Sequence, residues 1–132
     1  MFEHLRVMNS EIQRTQEWIE VLRAKAESMT KSYANDRVQT SSGDSLGDIM
    51  VKIVTLEERL NKKIDDYADA KMQAKDIIFS LNNQAWQEIV YMRDIEFKSF
   101  CEIAVKQGST VNIVTQKYKR AKKFIKKHLT DR

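Results

Sequence analysis

Proline is absent from this 132-residue chain, and glycine occurs only three times. Both are the punctuation of tight turns and short strands, so their scarcity argues against sheets and for an all-α fold. The single cysteine, Cys101, excludes an internal disulfide and fits a reducing compartment. No apolar run approaches the roughly 18 residues of a membrane-spanning helix. The opening MFEHLRVMNSEIQRT has no continuous apolar core, so no secretory signal is expected. His4 and His128 stand in no metal-ligand spacing with each other or with Cys101. No glycine-rich phosphate loop is present. Asp65, Asp66 and Asp69 share their stretch with Lys62 and Lys63, which reads as a solvated charged face. Cys101, flanked by Phe100 and Ile103, reads as a small core residue and not as a nucleophile. Neither an enzyme, nor a metal site, nor a cofactor is expected.

Periodicity is abundant. Leu5, Met8, Ile12, Thr15, Ile19, Leu22, Ala26, Met29 and Tyr33 step by three and four residues. Leu46, Ile49, Ile53, Leu56, Leu60, Lys63, Tyr67, Ala70, Ala74, Ile77 and Leu81 do the same. Such spacing predicts two long helices packed as a coiled coil. Between them, residues 34–45 concentrate Asn, Ser, Thr, Asp and Gly, the chemistry of a loop. Ser45 with Asp48 predicts a capping box for the second helix. The simplest arrangement is a long antiparallel helical hairpin over 1–82, followed by a smaller module over 83–132. Asn82 or Asn83 would cap the module's first helix, which would run to Met92. Lys63 in the seam predicts either a polar spot in the core or a side chain that snorkels outward.

Apolar residues also flank the seam: Val7, Trp18 and Val21 on the first helix, and Val54, Ile64 and Met72 on the second. They need cover from the C-terminal module or from a second chain. A symmetric homodimer through the hairpin is the expectation, with a monomer covered by its own C-terminal helices as the alternative.

The most informative stretch is FCEIAVKQGSTVNIVTQKYKRA, residues 100–121. Phe100 to Gln107 would form a short helix with Phe100, Ile103 and Ala104 inward. Gly108 can take the positive φ of a sharp inter-helix turn, and Thr110 can cap the next helix. That helix carries Val111, Val114, Tyr118, Ala121 and Ile125 at helical spacing. This is the layout of a helix-turn-helix, whose second helix enters the DNA major groove. Charge points the same way. From Lys117 to Arg132 there are eight Lys or Arg against Asp131 alone, a net +7 in a chain of net +4. Basicity concentrated along one helix is the footprint of phosphate binding. The apolar face of this helix is interrupted by Lys117 and Lys122 and has no Trp, which argues against a membrane-surface helix.

Glu102-Ile103-Ala104, Gly108, Thr110, Val114 and Arg120-Ala121 together resemble region 4 of bacterial sigma factors, the module that reads the promoter −35 element. Tyr91-Met92-Arg93-Asp94 and Phe97-Lys98 resemble the end of that module's first helix and its link to the second. The resemblance covers about residues 84–127. The whole chain, with its DRVQTS and DIMVKIVTLEERLNKKID segments, resembles small phage proteins of Gram-positive hosts. These belong with the autolysin-regulator and positive-control-factor group of transcriptional regulators. The resemblance implies double-stranded DNA as partner, contact with RNA polymerase, and the cytoplasm of a bacterial host cell as location. Matched residue by residue, the base-reading positions fall on Val111, Asn112, Thr115 and Gln116. Asn and Gln suit adenine N6 and N7, and Val111 suits a thymine methyl. Lys117, Lys119, Arg120, Lys122 and Lys123 would hold phosphates. The chain departs from the family at the reading positions, where region 4 carries arginines and this chain has Val111 and Thr115. Two other functions stay open: a phage small terminase subunit, and an adaptor that binds protein and not DNA.

Overall fold

The computed structural model describes residues 2–35 and 45–129. Most of the expected 34–45 loop lies outside them. The fold is all-α: α1 (Glu3–Asn35), α2 (Leu46–Phe79), α3 (Gln84–Val90), α4 (Phe100–Gln107) and α5 (Val111–Phe124). Short π-helical segments, Tyr91–Ile95 and Ile125–Leu129, extend α3 and α5.

The chain divides into two compact units, Asn9–Asp66 and a second made of Met1–Met8 with Tyr67–Arg132. This division falls elsewhere than the boundary expected at 82/83. Phe2 and Leu5 share a core with Ala74, Ile78 and Leu81 and with Val90, Ile95, Ala121 and Ile125. The apolar residues at the open ends of the two long helices complete the core of the C-terminal helices, because a two-helix seam alone would leave them half wet.

In the Asn9–Asp66 unit, α1 and α2 pair antiparallel. Ile19, Leu22 and Ala26 pack with Ile49 and Ile53, with Met29, Leu46, Leu56 and Leu60 at the margins. Arg23 pairs with Glu57, and Lys63 reaches Glu11 at 3.3 Å. The seam position of Lys63 is thus the snorkelled kind: its aliphatic stem covers the core edge while its ammonium meets a carboxylate near water. Ser45 and Asp48 form the expected reciprocal cap, with backbone-to-side-chain hydrogen bonds of 3.4 and 3.2 Å. Trp18, Val21, Met50, Val54 and Ile64 are exposed.

In the other unit, α3 and α4 both pack on α5. Ile89, Met92, Ile103, Ala104 and Val114 form a second core there, bordered by Phe100 and Tyr118. Of the neighbours Ile77 and Ile78 near the end of α2, Ile78 is buried and Ile77 only half-buried at the margin. The strict seven-residue spacing had favoured Ile77. A 3.6-residue helix drifts off that repeat, and here its partners are no longer one parallel stripe but several crossing helices. Asn83 is the cap of α3, accepting from the Trp86 amide at 3.2 Å. The helix expected to run to Met92 leaves α-geometry at Tyr91, where the π-helical turn begins.

Candidate nucleic-acid interface

The α4–α5 pair begins with a cap that the sequence carries openly. Ser99 accepts from the Glu102 amide at 3.1 Å, and Glu102 accepts from the Ser99 amide at 3.5 Å. This S-x-x-E box starts α4. The residue two before it, Phe97, has φ +60°, a left-handed conformation that a side chain rarely adopts. Arg93 holds this bend from inside: it donates to the Lys98 carbonyl at 3.1 Å and lies 4.2 Å from the centre of the Phe100 ring.

Helix α4 ends on Gly108 at φ +62° and ψ +39°. The Ser109 amide donates to the Ala104 carbonyl at 2.9 Å, the six-to-one bond of a Schellman cap. Thr110 then accepts from the Ile113 amide at 3.3 Å and starts α5. Ile103 and Ala104 of α4 and Val114 of α5 are buried where the two helices meet. Ala104 is small at this crossing, which lets the backbones approach.

On α5, Asn112, Gln116, Lys119, Arg120 and Lys123 are exposed. Their three- and four-residue steps place them along one solvent face, opposite Val114, Tyr118, Ala121 and Ile125. Thr115 and Lys117 are half-buried at its margins. Val111 is 44% exposed and Ile113 46%. Val111 therefore belongs to the open surface and not to the inward face on which its spacing first placed it. It sits at the helix start, beyond the last covering residue. Ile113 is a surface residue of the same helix start that the sequence reading did not single out.

Lys122 does not join the exposed cations. Its ammonium donates to Asp94 Oδ2 at 2.8 Å, and the two side chains are only 15% and 11% exposed. The Tyr118 hydroxyl donates to Asp94 Oδ1 at 2.7 Å. Lys122 also lies 4.3 Å from the centre of the Phe2 ring. Burial pushes the Tyr118 hydroxyl well above the usual phenol range, and the Asp94 hydrogen bond and charge push the same way. Tyr118 thus remains a proton donor to Asp94. The three side chains bolt α5 to the π-helical turn after α3. Lys122 is a paired cation here, unlike the exposed Lys119, Arg120 and Lys123 with which the sequence grouped it. The cause is tertiary: Asp94 stands 28 residues away, and no local pattern in α5 reveals it.

Cys101 is exposed, which corrects its reading as a core residue. With Ile103 and Ala104 turned inward, the position two residues earlier falls on the outer side of α4. Among the described residues, no group of three or more His, Cys, Asp or Glu side chains could hold a metal ion. Among them, too, no helix is long and apolar enough to cross a membrane. Helices of this arrangement define an all-α chain in which the short helices α4 and α5 meet at the Gly108 turn. Comparison with protein-family models, curated proteins and solved structures returns no match to this chain.

Proposed function

We propose that this chain is a sequence-reading, double-stranded-DNA-binding protein of the phage transcription-regulator kind, acting through α5. The observation that carries the reading is the exposed face of α5: Asn112 and Gln116 stand beside Lys119, Arg120 and Lys123, on a helix presented by a Gly108 turn and capped by Thr110. In such a layout the amide side chains read base edges and the cations hold the phosphate backbone. Lys117, at the margin, serves the backbone from one side. Val111 and Thr115 offer methyl groups at the start of the helix, where a thymine methyl would lie. The chemistry calls for no cofactor and no catalytic group.

The test is DNA retention by gel shift, using the genomic region around the gene and random duplex, at two salt concentrations. With about 4 phosphates neutralised, log affinity falls against log salt with a slope of about −4. Asn112→Ala and Gln116→Ala each reduce discrimination between specific and random DNA by about 1–3 kcal/mol. Lys123→Ala weakens both DNAs alike. A salt-independent affinity, or no retention of either DNA, would reject the reading.

A further inference from the structure

The exposed apolar residues of the Asn9–Asp66 unit do not form one face. Its two ion pairs mark opposite sides of the helix pair, and each apolar group keeps register with one of them. Trp18 follows Glu11 by seven residues, two helical turns, so it stands on the side of the Glu11–Lys63 pair. Val21 follows three residues later. Met50 and Ile64 stand seven residues before and after Glu57, and Val54 lies between, so these three occupy the side of the Arg23–Glu57 pair. Trp18 and Val21 are 55% and 54% exposed, and Val54 is 51% exposed.

Charge separates the same way. Arg14 and Lys25 lie four before and seven after Trp18, and Arg59 lies four before Lys63, so the Trp18 side is basic beyond its ion pair. Glu20 and Glu27 lie three before and four after Arg23, and Asp65 lies eight after Glu57, against Lys31 four after Glu27, so the Val54 side is acidic on balance. All of these charged side chains beyond the ion pairs are exposed. A two-fold contact through either side would set like charges against each other and leave the other apolar patch in water.

We infer that the hairpin associates with a second copy of this chain head to tail, the basic Trp18–Val21 side of one copy on the acidic Met50–Val54–Ile64 side of the next. Each contact buries one patch of each kind and pairs opposite charges. Because every copy keeps one side unused, the contact is heterologous and continues into a ring or an open array. The inference rests on the hairpin alone and not on DNA binding, so its test uses no DNA.

Light scattering of the full chain in low salt decides it. The mass of the wild type rises beyond twice 15.5 kDa with concentration and falls as salt is added. Trp18→Glu and Val54→Glu are each monomeric. Mixed, they form a pair of twice the chain mass and no larger species, because each variant supplies the side that the other has lost. Circular dichroism checks that both remain helical, as expected for substitutions at exposed positions. As a second approach, Arg14→Glu with Lys25→Glu dissociates the assembly, and adding Glu20→Lys with Glu27→Lys in the same chain restores it. A monomeric wild type overturns the inference. So does a dimer that stops at two chains, a single variant that still assembles, or a mixture that stays monomeric.

Discussion

The two compact units bury their apolar residues to different depths. In the unit of the C-terminal helices, α3 and α4 both pack on α5. Ile89, Ile103, Val114 and Ile125 lose all contact with water, and even the charges Asp94 and Lys122 are drawn in and paired. In the Asn9–Asp66 unit, two helices run side by side. They bury a single seam and leave Trp18, Val21, Val54 and Ile64 on their flanks. The lesson is geometric. A pair of antiparallel helices has only one contact line, whereas helices stacked across one another enclose a volume. The unit of the C-terminal helices encloses most of the fully buried side chains, although Phe79, Val105, Val111 and Ile113 stay exposed on it too, whereas the helix pair leaves both of its flanks open.

That contrast is sharpest in a pair of matched truncations. Ile103→Ala removes a fully buried side chain from the crossing of α4 and α5 and costs about 2–5 kcal/mol of stability. Ile64→Ala, at a position 40% exposed, changes the stability of the dilute chain by no more than about 0.5 kcal/mol. Urea unfolding of both variants measures the difference. Equal losses would erase the distinction between a closed core and an open flank.

The next comparison sets two adjacent lysines of α5 against each other. Lys122→Ala breaks the bridge to Asp94 and lowers stability by about 1–3 kcal/mol, a shift visible in thermal melting. Lys123→Ala touches only an exposed cation, leaves melting within about 0.5 kcal/mol, and acts on DNA affinity instead. If Lys122→Ala melted like the wild type, the buried bridge would not be holding α5 in place.

A smaller effect is expected at the turn. A Cβ at Gly108 meets nothing within 4 Å, so Gly108→Ala has no steric clash with its surroundings. The left-handed backbone at φ +62° still disfavours it, at about 1–2 kcal/mol. Denaturant unfolding of the variant reads this backbone cost directly. A change near zero would mean that the turn relaxes to negative φ when glycine is lost.

Much of this architecture is legible in the chain because its causes are local. The scarcity of proline and glycine leaves helices as the available elements. Three- and four-residue steps mark the seam from Ile12 to Ala26, and Ser45, Asn83 and Thr110 act as caps within three residues of themselves. Gly108 needs only its own φ to define the turn. The exposed face of α5 follows from the same period, since knowing which residues point inward names those that point out. The Ser99–Glu102 cap was equally readable, being a four-residue pattern.

What the tertiary structure decided are the relations that span the chain. Asp94 draws in Lys122: the lysine's place beside the apolar face, four residues after Tyr118, is local, but its carboxylate partner is not. Phe2 and Leu5 share a core with residues from Ala74 to Ile125, so the unit boundary does not follow the order of the chain. Ile78 replaces Ile77 inside because the partners of α2 change along its length. The flanking residues Trp18 and Val54 fall on opposite sides because the pairings of Arg23 with Glu57 and of Glu11 with Lys63 set which flanks of the two helices coincide. Local periodicity determines which way a side chain leaves its own helix. Only packing determines what it meets there, because that depends on groups the chain brings together from a distance.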